Sequence, residues 1–285
     1  MKKLFLKKGS MIVIISICVL FLTGVICANA EIETNETSAT NDIVEISAKA
    51  TQLKDIIGET SSYSEVYTAV SRQLLMGESL KNAEKNAKNN MVKSEALFYL
   101  AKTNGFSMTY NEIENKIKNE IEEAESAVNF KEYYSSCQKQ GISFEDYIAG
   151  DKINCERVYV TDKMYMEYYD RYHSGKKKYN GNSYETWDSY WNAVEQNAIS
   201  VFKQSKAYSG LLASIDSSID NIKYADEIIA YHDKLEDMDS TVNTTSKAKV
   251  NCKEDKHIES NVLKIKELTN AFSKSEDGYG YVVIR

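Results

Sequence analysis

The absence of proline is the feature that most constrains this chain. Its 285 residues include no Pro and only 12 Gly, whereas average usage would give about fourteen Pro. Collagen-like chains and Pro-rich linkers are therefore excluded, and sandwiches and barrels, which need many tight turns, are disfavoured. Because hydrophobic residues make up 42% of the chain, a buried core is expected. The combination predicts an all-α fold built from a few long helices.

The first thirty residues have the order of a secretory signal peptide. Four lysines without an acid precede an uncharged apolar run at 11–23, and an Ala-Asn-Ala triplet ends at Ala30. The residue before Cys27 is Ile rather than the small residue of a lipoprotein, which disfavours a lipid anchor. An uncleaved anchor is the alternative, since residues 11–28 approach the length of a membrane span. We expect cleavage after Ala30 and an exported protein, secreted or cell-surface associated, without stable membrane insertion.

The mature chain is expected to be acidic. The leader contains four of the 35 basic residues and none of the acidic ones, which leaves 31 basic against 42 acidic residues, a net charge of −11. Without a basic cluster, this balance argues against nucleic-acid binding and against electrostatic docking on anionic lipid.

The cysteines do not form a disulfide framework. Three remain after the leader, at Cys137, Cys155 and Cys252, and an odd number at wide spacing is not typical of such a scaffold. A Cys137–Cys155 bridge is disfavoured, because the two would be offset by roughly 10 Å along antiparallel helices. No cluster has the spacing of metal ligands, so no metal or other cofactor is expected.

Helix start and stop signals divide the mature chain. Polar residues at 31–41 predict a flexible lead-in before a helical domain at 42–239. The clearest start is the capping box Thr109-Tyr110-Asn111-Glu112, and Asn104-Gly105 is the stop before it. The expected helices are 42–57, 64–103 with a break within 78–90, one from the Thr109 cap, 130–140 stopped by Gly141, Ser143 to about Tyr172 with a bend at Gly150, one capped by Ser183, and 211–235.

Two further segments are expected to be irregular. Residues 176–183 contain Asn180-Gly181 and are predicted to form a loop. Residues 240–285 are predicted to be a linker and a short, mostly irregular tail, with a helix at 258–272 and a strand at 280–285. In the helix after Ser183, the spacing predicts a seam at Trp187, Trp191, Val194, Ala198 and Val201, with both tryptophans in the core.

No arrangement of residues predicts an enzyme. The three histidines, at His173, His232 and His257, have no metal-ligand spacing and are expected at the surface. Ser200 and Lys203 match half of a serine acyl-enzyme motif whose other half is missing, and acidic pairs on amphipathic helices are typical of solvated faces.

Tyrosine is the unusual residue, with 20 Tyr against 8 Phe. Four tyrosines between 165 and 172 are spaced so that they share one helical face. They could form the edge of a core, with their hydroxyls at water, or a surface that holds apolar peptide segments, because Tyr combines contact area with a polar tip and Met adapts to varied shapes. The peptide-binding candidates are Tyr133, Tyr134, Tyr147, Met164, Tyr165, Tyr168, Tyr169 and Tyr172.

Residues 90–172 contain an ordered series of motifs. Met91 to Phe106 reads MVKSEALFYLAKTNGF, the capping box follows within MTYNEIE, and Gln140 to Tyr147 reads QGISFEDY before a long helix. This series resembles the N-terminal chaperone domain of the SurA/PrsA family of exported peptidyl-prolyl isomerases. The resemblance implies a multi-helix domain that holds unfolded exported polypeptides.

The resemblance does not extend to the family's catalytic parvulin domain. Such a domain needs about ninety residues, glycine-rich turns and two histidines, whereas 46 residues follow Asp239 and Val282 stands where the last strand usually has His. We therefore expect a non-enzymatic exported chaperone-like protein whose partners are unfolded polypeptides. The alternatives are a surface interaction or adhesion protein with one folded partner and an isomerase with a degenerate tail. Usage that is poor in Leu and rich in Lys, Asn and Ile is typical of AT-rich Gram-positive bacteria.

Overall fold

The computed structural model describes residues 36–58, 62–150, 152–241, 259–260 and 262–263. From Thr40 onward these residues belong to one compact unit, and residues 36–39 belong to an N-terminal unit. The expected signal peptide, the strand at 280–285, Cys252 and His257 lie outside the described residues. The expected helix at 258–272 is described only at 259–260 and 262–263, which are helical.

The fold is all-α, as the sequence predicts. Within the described ranges, two short strands accompany the helices. In chain order the elements are α1 (Glu36–Ile57), α2 (Ser62–Leu75), α3 (Leu80–Thr103), α4 (Tyr110–Glu125), α5 (Phe130–Gln140), α6 (Phe144–Ala149), α7 (Lys152–His173), β1 (Lys178–Tyr179), β2 (Asn182–Ser183), α8 (Trp187–Phe202), α9 (Lys206–Asn221), a 3-10 turn (Ile222–Tyr224) and α10 (Ala225–Thr241).

Local capping signals place several helix ends where the sequence predicts them. The capping box is formed at α4: the Thr109 hydroxyl accepts from the Glu112 backbone N–H, and the Glu112 carboxylate accepts from the Thr109 N–H at 2.6 Å. Helix α5 has the predicted bounds and ends at Gly141, whose φ of 71° favours glycine. The Ser143 hydroxyl caps α6 by accepting from the Asp146 N–H at 2.9 Å.

Breaks between helices differ more from the expectation. The chain turns at residues 76–79, where Gly77 has φ 87°, and residues 80–90 are helical rather than broken. The single helix expected after Ser143 is two helices, because Gly150 adopts φ 44° between α6 and α7. Helix α1 begins six residues before the expected position 42.

The expected loop at 176–183 is an antiparallel hairpin. Lys178 pairs with Ser183 and Tyr179 with Asn182. Asn180 and Gly181 both have positive φ, at 47° and 82°, which is the geometry of a two-residue type I′ hairpin.

Ser183 is consequently a strand residue, and its assignment as a helix cap was wrong. Thr186 caps α8 instead, and its hydroxyl accepts from the Ser189 N–H at 3.2 Å. The helix expected at 211–235 is also two helices: α9 begins after Ser205, whose hydroxyl accepts from the Tyr208 N–H, and the 3-10 turn separates it from α10.

Helix α3 lies at the centre of the main core. It packs against α2, α7, α8 and α9. Alanines at 83, 87, 96 and 101 are fully buried and let the neighbouring helices approach closely, while Phe98 fills the space between them. Helix α8 therefore packs back on the early helices, as the sequence predicts.

Two smaller clusters lie beside the main core. One joins Leu53 and Ile57 of α1 to Ala225 and Ile228 of α10 around Tyr63. The other has three buried members, Val44, Cys137 and Phe144, with partly buried aromatic residues around them.

A buried ionic network links α3 to α7. Glu95 is 0% exposed and accepts from Arg157 Nη1 at 2.8 Å, while Arg157 Nη2 donates to Glu65 of α2 at 2.8 Å. Glu156, also fully buried, accepts from Lys102 at 3.2 Å. Because a buried charge without its partner is costly, this network fixes how α7 is seated on α3.

Candidate functional site

The candidate residues of α7 are divided between the core and the surface. Met164 is 0% exposed, Tyr168 7% and Tyr172 5%, so these three belong to the main core. Tyr165 and Tyr169 are half-buried. The side of α7 that carries Met164, Tyr168 and Tyr172 therefore stabilises the fold, and only Tyr165 and Tyr169 remain for contact with another molecule.

The two buried tyrosines satisfy their hydroxyls within the protein. The Asn104 side-chain amide donates to Tyr168 Oη at 3.1 Å, and the Tyr172 hydroxyl donates to the Glu185 carbonyl at 2.6 Å. Both rings also meet Tyr190 of α8 edge to face, at centroid distances of 6.5 and 5.3 Å. Such contacts are those of a packed core.

Half-buried aromatic side chains from α7 and α8 form a continuous surface, called here the aromatic strip. Each helix contributes two rings four residues apart, so the rings follow the helix axes. The Tyr165 centroid lies 4.7 Å from Trp191 and 5.2 Å from Trp187, with both pairs close to perpendicular. Trp187 and Trp191 stack at 5.7 Å. The members of the aromatic strip are Tyr165, Tyr169, Trp187 and Trp191.

Hydrogen bonding and packing hold the aromatic strip in place. Trp187 Nε1 donates to the Tyr165 hydroxyl at 3.0 Å, and the Tyr169 ring lies 5.2 Å from Trp187. Burial raises the pKa of Tyr165, so its hydroxyl is neutral at physiological pH. The rings of the aromatic strip are therefore held in place and uncharged, with polar tips, and the carboxylates of Asp162 and Asp188 lie close enough to act on Tyr165.

His173 marks the end of the strip at the C-terminus of α7. Its exposed ring lies 4.0 Å from the Tyr169 ring, and Nδ1 lies 2.9 Å from the Tyr169 carbonyl oxygen. The sequence predicts a surface position for this residue, and the structure confirms it.

The tyrosines of α5 and α6 form a separate aromatic group. Tyr133 and Tyr147 are half-buried, with their rings 5.7 Å apart, and Tyr134 is 43% exposed. The Phe144 ring lies 6.4 Å from Tyr134 and 6.3 Å from Tyr147. The structure thus distributes the eight sequence candidates over two clusters, and does not assemble them into one surface.

A second apolar surface lies at the turn between α2 and α3. We call it the turn patch. Three consecutive apolar residues just before Gly77 cannot all face the core from one helix, which is the sequence feature that could have identified them. Its members, with their exposed fractions, are Leu74 (41%), Leu75 (43%), Met76 (48%) and Leu80 (51%).

Sequence reasoning misplaced part of the α8 seam. Val201 is 37% exposed, and Tyr190 and Phe202 take the buried positions beside Val194 and Ala198. Trp187 and Trp191 pack against the core but are half-buried rather than enclosed. The predicted seam, which starts at Trp187 and continues in steps of four and three residues, therefore lies along the edge of the buried face of α8 and not along its centre.

The described residues show little else that could support chemistry. They contain no group of three or more His, Cys, Asp or Glu side chains that could hold a metal ion. Cys137 and Cys155 are both thiols; burial raises the pKa of Cys137, which makes it a poor nucleophile. No helix in the described ranges is long and apolar enough to cross a membrane.

Comparison with known proteins finds no relative: no family model, no curated protein and no solved structure matches the chain.

Proposed function

We propose that the protein is an exported chaperone-like protein that transiently holds unfolded or extended polypeptide segments. The observation that supports this most is the aromatic strip, which offers four large, partly exposed and uncharged rings. A holding protein must bind many sequences weakly and stay soluble when empty, and half-buried Tyr and Trp meet both needs. The series of motifs at 90–172 supports the same role through its resemblance to a chaperone domain.

The rigidity of the strip is part of the proposal. The rings already contact one another, so binding a segment would immobilise few further side chains and would cost little conformational entropy. The turn patch offers additional apolar area, and Met76 can adapt to differently shaped side chains.

Suppression of aggregation tests the proposal directly. The mature protein should slow the aggregation of a chemically unfolded model protein, followed by light scattering. Tyr169→Ala combined with Trp191→Ala removes two rings of the strip, and should raise the concentration needed for half-suppression about tenfold, as loss of aromatic anchors does at other interfaces. Tyr110→Ala is the matched control, because Tyr110 is also exposed, at 39%, and contributes no ring to the strip.

Thermal melts of each variant separate loss of binding from loss of folding. If the wild-type protein shows no suppression, the holding role is wrong, and a surface protein that recognises one folded partner becomes the better hypothesis. If the double variant suppresses as well as the wild type, the strip is not the binding surface.

We also infer that the protein does not catalyse X-Pro isomerisation. The motifs at 90–172 resemble the holding domain of the family and not its parvulin domain, so only the holding role is transferred. In a protease-coupled assay on an X-Pro peptide, the mature protein should leave the slow uncatalysed relaxation unchanged. Clear acceleration that His257→Ala abolishes would restore the isomerase hypothesis.

A further inference from the structure

The two ends of the aromatic strip have different electrostatic surroundings. At one end, the carboxylates of Asp162 and Asp188 act on the hydroxyl of Tyr165. At the other end, the exposed imidazole of His173 lies 4.0 Å from the Tyr169 ring. The Tyr165 end is therefore the acidic end of the strip.

The negative charge at the acidic end is only partly neutralised. Asp162 Oδ2 accepts from Lys116 Nζ at 3.3 Å, but Asp162 Oδ1 is buried without a hydrogen-bond partner. Asp188 is exposed in the first turn of α8, and its carboxylate makes neither an ion pair nor a hydrogen bond within the described ranges. Glu195, further along α8, is already paired with Lys93 at 2.6 Å. Asp188 thus supplies a carboxylate that no described cation offsets.

The rings of the strip can also attract a cation. The face of an aromatic ring carries partial negative charge and attracts Lys or Arg within about 6 Å of its centroid. Elsewhere on α7 and just after it, Arg171 lies 5.7 Å from the Tyr168 centroid and Lys177 Nζ lies 5.3 Å from the Tyr172 centroid. Among the residues that the structure describes, no cation lies over a ring of the aromatic strip. The strip therefore combines ring surface and a free carboxylate without a cation of its own.

The spacing of the rings matches that of alternate residues in an extended chain. The Tyr165 and Tyr169 centroids lie 6.2 Å apart, and those of Trp187 and Trp191 lie 5.7 Å apart. In an extended chain, side chains on one side repeat every two residues, about 6.6 Å apart. Two side chains on the same side of a bound segment can therefore contact successive rings.

We propose that the aromatic strip binds extended segments in which an arginine lies two residues from an apolar residue, with the guanidinium at the Tyr165 end beside Asp188 and the apolar side chain towards Tyr169. The proposal rests on the holding function and specifies which segments of an unfolded chain are held. Arginine suits this surface better than lysine, because a guanidinium is planar, stacks on aromatic rings and is more weakly hydrated than an ammonium.

Labelled peptides without charged termini test the proposal with the mature protein by fluorescence anisotropy. The parent sequence, Gly-Ser-Leu-Ser-Arg-Ser-Leu-Ser-Gly, has Leu two residues away on both sides of Arg, so it serves either chain direction. It should bind about fivefold more tightly than the same peptide with citrulline, which keeps the shape of arginine without its charge. A lysine peptide should bind between these two. The rearranged peptide Gly-Ser-Ser-Leu-Arg-Leu-Ser-Ser-Gly should bind about threefold more weakly than the parent, because its leucines point away from the next ring.

Variants assign the preference to the strip. Asp188→Asn should reduce the preference for arginine over citrulline to about twofold and leave the affinity for the citrulline peptide unchanged. Asp220→Asn is the matched control: it removes another exposed carboxylate, from α9, and should keep the full preference. Trp191→Leu keeps an apolar side chain but removes a ring face, and should also reduce the preference to about twofold. Thermal melts check that each variant is folded.

Each other outcome has a defined meaning. Equal affinity for the arginine and citrulline peptides overturns the cation preference but leaves the holding function standing, provided that both bind. Equal affinity for the lysine and arginine peptides overturns the choice of a guanidinium, and equal affinity for the rearranged peptide overturns the two-residue spacing. A preference that survives both Asp188→Asn and Trp191→Leu, or that falls as far in Asp220→Asn, removes the strip from the site. Binding of none of the peptides overturns both proposals.

Discussion

The tyrosines of α7 and those of α5 and α6 share one residue type but occupy different environments. On α7, Tyr168 and Tyr172 lie in the main core, where α3 and α8 cover them. On α5, Tyr134 lies beside a cluster of three buried residues and keeps 43% of its surface exposed. The difference shows that the number of helices packed over a face, and not the residue pattern, decides whether an aromatic side chain is structural.

The hydroxyl groups show the same contrast. Tyr168 and Tyr172 each have a hydrogen-bond partner within the protein, whereas Tyr147 makes no hydrogen bond to the described residues. Buried polar groups are normally satisfied. Each core tyrosine therefore contacts the protein through both its ring and its hydroxyl, whereas Tyr147 packs through its ring and makes no such hydrogen bond.

The largest difference between the two regions should appear when one tyrosine in each is replaced by Ala and the free energies of unfolding are compared. Tyr172→Ala should lower the free energy of unfolding by about 3–5 kcal/mol, because it leaves a cavity in the main core and removes the bond to the Glu185 carbonyl. Tyr134→Ala should cost less than about 1 kcal/mol, because much of its ring is already in water. Urea denaturation of both variants measures the contrast.

Equal losses in the two variants would contradict the comparison. A small loss for Tyr172→Ala together with weaker aggregation suppression would return Tyr172 to the list of binding candidates.

Features set by neighbouring residues were predictable from the sequence. The capping box at Thr109, the left-handed stop at Gly141 and the all-α class depend on contacts within a few residues or on composition. The hairpin at 178–183 was also signalled by Asn180-Gly181, but its strands are only two residues long and lack the alternation that identifies a strand.

Features set by tertiary packing were not predictable. Nothing near Trp187 in the sequence shows that tyrosines of α7 pack against its ring while the side chain stays half-buried. Likewise Glu95 is one of many acidic residues on amphipathic helices, and its complete burial follows from Arg157, 62 positions away, reaching it from α7. The strip arises where α7 packs against α8, and the ionic network arises where α7 packs against α3, so neither is visible within a single helix.

A smaller effect should distinguish the two regions at alkaline pH. Burial raises the pKa of Tyr179, which packs on Tyr168 and Tyr190, to about 12, and it raises the pKa of Tyr147 in the α6 group. A tyrosine in the unfolded chain loses its proton near pH 10. Above that pH the unfolded state binds fewer protons than the folded state. The contribution of these tyrosines to the free energy of unfolding is therefore complete below pH 10 and is lost as the pH rises through the pKa of the folded state.

Replacing each of these tyrosines with Phe should therefore separate two effects on stability, the loss of the hydrogen bond to the hydroxyl and the loss of its ionisation. At pH 8, Tyr179→Phe should cost about 0.5–1.5 kcal/mol, because the Asn197 amide donates to the Tyr179 hydroxyl at 2.8 Å. Tyr147→Phe should change stability by less than about 0.5 kcal/mol at pH 8, since it loses no such bond. Between pH 10 and 12, urea denaturation should show the Tyr179→Phe curve converging on the wild type and the Tyr147→Phe curve rising above it. Parallel curves for all three proteins would mean that neither hydroxyl is desolvated, and that the two regions differ in exposure of their rings alone.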